Sequence, residues 1–117
     1  MMAASTDRSA GVSVLEARQM LEHGAEMIDV RDEHEWRAGH SRHSVHVPMA
    51  ELSTATTVLS RGHPLIVVSR SGRRAAEAVV HMRAAGLDAV RLDGGLHAWR
   101  DSGAELVSDN GRPPRVT

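Results

Sequence analysis

The 117-residue sequence contains no cysteine, no lysine, no phenylalanine and no tyrosine. Without thiols it can form no disulfide, no Cys-ligated zinc site and no iron–sulfur cluster, and it can run no mechanism that needs a protein thiolate. All fourteen of its cationic side chains are arginine, which excludes Schiff-base chemistry on a lysine. Trp36 and Trp99 are the only large aromatics, so stacking platforms for single-stranded nucleic acid are missing. The core must come from Val, Leu, Ile, Met and Ala, with Trp99 expected inside it and Met27, Met49 and Met82 filling gaps. The net charge of −1 gives no field toward nucleic acid or an anionic membrane. No apolar run approaches the roughly 20 residues of a membrane span, and the N-terminal MMAASTDRSAG lacks a hydrophobic signal core. The expectation is a cytoplasmic protein with no nucleic-acid and no membrane partner.

Length and a hydrophobic content of 41% suit one domain. Residues 1–11 and 108–117, rich in Ser, Asp, Gly, Pro and Arg, read as flexible tails around a domain spanning 12–107. Ser13 with Glu16 makes a capping box opening a helix over Val14–His23. Met27–Val30 reads as a buried strand, Val45–Val47 as a weaker one, and Leu52–Leu59 as a marginal helix with a Thr-rich middle. Leu65–Val68 is a continuous apolar run, as in a strand covered on both faces. Ala75, Ala78, Val79 and Met82 then recur at helical spacing. Ala89–Leu92 gives a further strand, Asp93–Gly95 a turn, and Leu96–Asp101 a short helix. Strands alternating with helices predict an α/β fold built on a mainly parallel central sheet, with helices on both faces.

Ligands of open parallel sheets bind beyond the carboxyl ends of the strands, and Ser69-Arg70-Ser71-Gly72-Arg73-Arg74 occupies such a place. Arg70, Arg73 and Arg74 crowd the positive end of a helix dipole, which disfavours cations by a few tenths to about 1 kcal/mol each. Gly72 permits positive φ, so successive amides can turn inward as a nest. A bound anion would relieve the repulsion and satisfy the amides together. As a plain solvated loop, the same residues would carry no function.

VVSRSGRRAA resembles the active-site loop of rhodanese domains, the sulfurtransferase superfamily, whose usual pattern is Cys-Arg-x-Gly-x-Arg after a Val-rich strand. Met27-Ile28-Asp29-Val30-Arg31-Asp32, with Glu35-Trp36 and Gly39-His40, resembles the family's Asp-Val-Arg … Glu-Phe … Gly-His segment. Pro48 falls at its Ile-Pro or Val-Pro, and Leu92-Asp93-Gly94-Gly95-Leu96-His97-Ala98-Trp99 is similar to its closing Leu-x-Gly-Gly-x-x-x-Trp. The resemblance runs from about Val12 to Leu106. It implies the rhodanese-like fold and places Ser69 where the family carries its nucleophilic cysteine. The loop's six residues match sulfurtransferase loops, whereas the related phosphatase and arsenate-reductase loops are one residue longer.

Family chemistry carries a sulfane sulfur as a persulfide, and an oxygen cannot form that S–S bond. Ser69 is therefore expected to be inactive in sulfur transfer. The loop from Ser69 to Arg74 is expected to cradle a small oxyanion such as thiosulfate or sulfate. The leading reading is a non-catalytic anion-binding, regulatory or protein-interaction module with a possible protein partner and no cofactor. The alternatives are a thiosulfate-type sulfurtransferase whose cysteine is replaced by Ser69, by engineering or recently in descent, and a purely structural interaction domain. Serine hydrolysis lacks the G-x-S-x-G elbow, and spacing assigns no histidine as its base. His34, His40, His43 and His46, with Asp32, Glu33 and Glu35, could supply metal ligands, but they read better as loop histidines, and no metal is expected. Asp29 and Arg31 are expected to be architectural, Asp29 accepting backbone bonds and Arg31 pairing with a carboxylate.

Overall fold

The continuous apolar run predicted as a doubly covered strand is the centre of the molecule. In the computed structural model, which describes residues 11–59 and 61–117, β3 spans Leu65–Val68 and every residue of it is buried. It pairs in parallel with β1 (Glu26–Asp29) on one side and β4 (Ala89–Arg91) on the other. β2 (Ser44–His46) lies outside β1, giving the order β2-β1-β3-β4. The expected N-terminal tail 1–11 lies, apart from Gly11, outside the described residues.

Because strand side chains alternate between faces, the run feeds two cores. Leu65 and Val67, with Ile28, meet Leu52 of α3 (Leu52–Ala55) and Ala75, Ala78, Val79 and Met82 of α4 (Arg73–Ala84). Ile66 and Val68, with Met27, meet Ala17 of α1 (Val14–Glu22) and Leu96 and Trp99 of α5 (Gly95–Asp101). Helices thus cover both faces of an all-parallel four-stranded sheet. α1 starts as its sequence dictates: Glu16 N donates to Ser13 Oγ (3.1 Å) and Ser13 N to Glu16 Oε1 (2.8 Å).

Two elements differ from expectation. The helix over Leu52–Leu59 stops at Ala55, because Thr56 and Thr57 hydroxyls donate back to Ser53 and Thr54 carbonyls (2.9 and 2.8 Å) and compete with the helical ladder. The histidine-rich stretch, read as loop, contains α2 (Glu33–Ala38). From the stretch 108–117, Asp109 N donates to Arg37 O and Arg115 N to Ala38 O of α2 (both 2.9 Å). Among the described residues no helix is long and apolar enough to cross a membrane.

β1 and β3 are neighbours, yet the chain leaves β1 toward one edge and returns to β3 on the other side. The crevice beyond their carboxyl ends is the switch point where open parallel sheets place ligands. Val30-Arg31 leave β1 there, and Ser69-Arg70 leave β3.

Candidate functional site

Ser69 follows the last residue of β3 and is 1% exposed. Its Oγ accepts hydrogen bonds from Gly72 N (3.2 Å) and Ala75 N (3.1 Å), so the loop curls around the hydroxyl. Gly72 makes the curl possible: its φ of 107° lies in the left-handed region, which costs glycine nothing. Both acceptor positions of Oγ are filled, which leaves only its proton to offer a ligand. Among the described residues no side-chain base bonds to it, and its partners are the two backbone amides.

The loop is braced from α5. Leu96 N donates to Ser69 O (2.9 Å) and His97 N to Arg70 O (3.1 Å). The approach is so close that a Cβ on Gly95 would strike Ser69 O and lie 2.7 Å from Arg70 O. With its carbonyls held from behind, the loop turns other groups outward. Among the described residues the amides of Arg70, Ser71, Arg73 and Arg74 have no hydrogen-bond acceptor. Unpaired amides at the start of a twelve-residue helix with no acidic residue in its first turn favour an anion.

The arginines divide into two kinds. Arg70 and Arg73 are exposed and, among the described residues, have no ion-pair partner. Arg74 turns away to Glu35 on α2, with Nη1–Oε1 at 2.7 Å and Nη2–Oε2 at 2.9 Å. That two-pronged bond from Arg74 holds the Glu35 carboxyl at about 2, against the rise that burial alone would cause. The same bond raises the Arg74 guanidinium. Of the six loop residues expected to cradle the anion, Gly72 gives its amide to Ser69 Oγ and Arg74 gives its guanidinium to Glu35.

Asp29 and Arg31 pair with each other at the exit of β1, both side chains fully buried. Arg31 Nη2 lies 2.8 Å from Asp29 Oδ2, and Nε 3.0 Å from Oδ1. Arg31 N also donates to Asp29 Oδ1 (3.0 Å) and Nη2 to Gly39 O (2.7 Å). The histidines do not converge. His34 and His43 are exposed, while His40 Nδ1 bonds Trp36 O and His46 Nε2 bonds Arg31 O, both at 2.7 Å. The His40 and His46 rings stack on Trp36 at 3.5 and 4.8 Å. Among the described residues no three His, Asp or Glu side chains form a metal cluster.

Sequence reasoning missed Glu35 as the partner of Arg74. The usable signal was Asp32-x-x-Glu35, a helix-start pattern: Asp32 N donates to Glu35 Oε1 at 3.0 Å, and that start aims the carboxylate.

Comparison with known proteins agrees with this architecture. The model of the rhodanese-like domain family matches residues 13–102. The thiosulfate sulfurtransferase GlpE of Pseudomonas aeruginosa is 31% identical over 86 residues, covering 73% of this chain and 78% of its own. An HTH-type transcriptional regulator of Mycobacterium tuberculosis is 34% identical over 89 residues, 74% of this chain but 38% of the regulator. A rhodanese-related protein from Thermoplasma volcanium superposes with a TM-score of 0.77 at 26% identity, covering 83% of this chain and 96% of that one. On the fold, the curled loop after β3 and these matches together, the chain belongs to the rhodanese-like domain family.

Proposed function

We propose that this rhodanese-like domain binds a small oxyanion such as sulfate or thiosulfate in the Ser69–Arg74 loop, and serves as a cytoplasmic regulatory or protein-interaction module, not as a sulfurtransferase. The observation that carries this reading is the set of unpaired amides of Arg70, Ser71, Arg73 and Arg74 beside the exposed guanidinium groups of Arg70 and Arg73. Charge-assisted bonds from such groups suit a compact anion. The Ser69 hydroxyl supplies a further donor at the base of the cup. Sulfur transfer would need a thiolate at position 69, and the chain has no cysteine to provide one.

Titrating sulfate or thiosulfate into the protein while following backbone amide NMR shifts tests the reading. Saturable shifts at residues 70–74, absent elsewhere and absent with chloride at equal ionic strength, are the expected result. Loop amides that respond no more than exposed residues far from the cup would refute it.

A second reading, a sulfurtransferase with serine in place of its cysteine, is favoured by one observation: Oγ of residue 69 already receives two N–H donors, an arrangement that would stabilise a thiolate. Ser69→Cys decides between them. In that variant a thiolate would take the sulfane sulfur of thiosulfate, releasing sulfite, and cyanide would remove the sulfur as thiocyanate. Thiocyanate formation supports the enzyme ancestry; its absence in a folded variant that still binds sulfate supports the module.

A further inference from the structure

A helix of six residues such as α2 cannot stand on propensity, since stable isolated helices need about twelve or more. Its last carbonyls have no partners within the helix, so the groups that take them decide whether it forms. Gly39 N donates to Glu35 O (3.3 Å) and His40 Nδ1 bonds Trp36 O (2.7 Å). The remaining two are taken from far along the chain: Asp109 N donates to Arg37 O and Arg115 N to Ala38 O, both at 2.9 Å. The Arg37 guanidinium returns a bond to Asp109 O (3.3 Å). Just beyond α2, His40 and Val107 exchange both backbone bonds (2.9 and 2.8 Å). At the far end Val116 packs on the core beneath α1 and α5.

Gly39 supplies an independent mark of this crossing. Its φ of 174° is ordinary extended backbone that any residue adopts. What a side chain there would meet is the backbone of Arg115, with N at 2.7 Å and C at 2.8 Å from the added Cβ. The glycine is needed because the later segment passes directly over it. That segment also lies beyond residue 102, where the family match ends.

We propose that residues 107–117 form a positioning strap, which completes the last turn of α2 and thereby fixes Glu35, and through the Glu35–Arg74 pair the mouth of the anion loop. The proposal deepens the anion-binding reading and rests on it for its functional meaning, although the strap's hold on Glu35 can be measured without any anion. Arg74 and Glu35 are 39 residues apart in sequence, so the loop's orientation depends on α2 being formed when Glu35 meets it.

Two full-length variants test the strap. Gly39→Ala pushes Arg115 off α2, and Arg115→Pro deletes the single N–H that reaches Ala38 O. Amide hydrogen exchange, a ¹³C titration of the Glu35 carboxyl and sulfate titration are read on both. The strap predicts at least tenfold faster exchange confined to α2, with α1 and α4 unchanged. It predicts a Glu35 midpoint displaced upward from about 2 by one unit or more, and sulfate affinity lowered about fivefold. A Glu35 midpoint unchanged in both variants, with α2 exchange as in the parent, overturns the proposal, as does exchange accelerated equally in every helix. Arg115→Pro alters an exposed position and keeps the test open if Gly39→Ala fails to fold. If the parent protein binds no sulfate, the anion reading falls while the exchange and Glu35 readouts still judge the strap.

Discussion

Arg31 and Arg74 are both gripped by a carboxylate at the carboxyl edge of the sheet, yet their surroundings differ. The Asp29–Arg31 pair is sealed, with both side chains at 0% exposure, and its members are two residues apart. The Glu35–Arg74 pair joins α2 to α4, with Arg74 still 34% exposed. The sealed local pair sets the path of one strand exit, although among the described residues Arg31 Nη1 is buried there without a hydrogen-bond partner. A half-open pair between two elements ties the start of α4 to α2, and among the described residues leaves Arg70 and Arg73 without an ion-pair partner. The contrast is between a pair within one strand exit and a pair that joins two helices.

Breaking the sealed pair has the largest expected effect. Asp29→Ala strands a buried guanidinium and is expected to cost about 3–5 kcal/mol, read as a lowered midpoint in urea denaturation. Glu35→Gln is milder, about 2 kcal/mol at neutral pH, since solvent already screens Arg74 in part. This pair also has a pH signature. Folding lowers the Glu35 carboxyl from the ordinary 4.5 to about 2, so its stabilisation is complete above about pH 4.5 and is lost as the pH falls toward 2. Stability curves of parent and Glu35→Gln should therefore converge across that window; parallel curves would show that the pair contributes nothing there.

Arg70→Ala and Arg73→Ala mark the smallest end of the comparison. Each should change stability in chloride by no more than about 0.5 kcal/mol, slightly upward if like-charge repulsion at the start of α4 is relieved. In sulfate the parent should gain thermal stability that both variants lack. Equal sulfate responses in parent and variants would show that these arginines only splay into water.

How much of this was legible depended on where each signal resides. β3 was readable to the residue because four consecutive apolar, mostly β-branched side chains between Pro64 and Ser69 suit a short strand covered twice. α4 was readable from its helical spacing, and the Ser69 loop from its place between the two. α2 was not, because EHEWRA is too short to show periodicity, although Asp32 and Glu35 were in position to start it. The grip of Glu35 on Arg74 bridges 39 residues, and no local pattern encodes that distance. The strap was hidden for a different reason. Its composition is that of a tail, and it docks through backbone N–H groups that every residue but proline carries.

Gly95 has a consequence for how the domain can be watched. It lets the start of α5 sit directly on the carbonyls of Ser69 and Arg70. Four residues further along α5 sits Trp99, 2% exposed and bonded through its indole N–H to Glu105 O. An occupant that displaced the loop would press on the helix that carries Trp99, so indole emission is expected to report sulfate binding with no label attached.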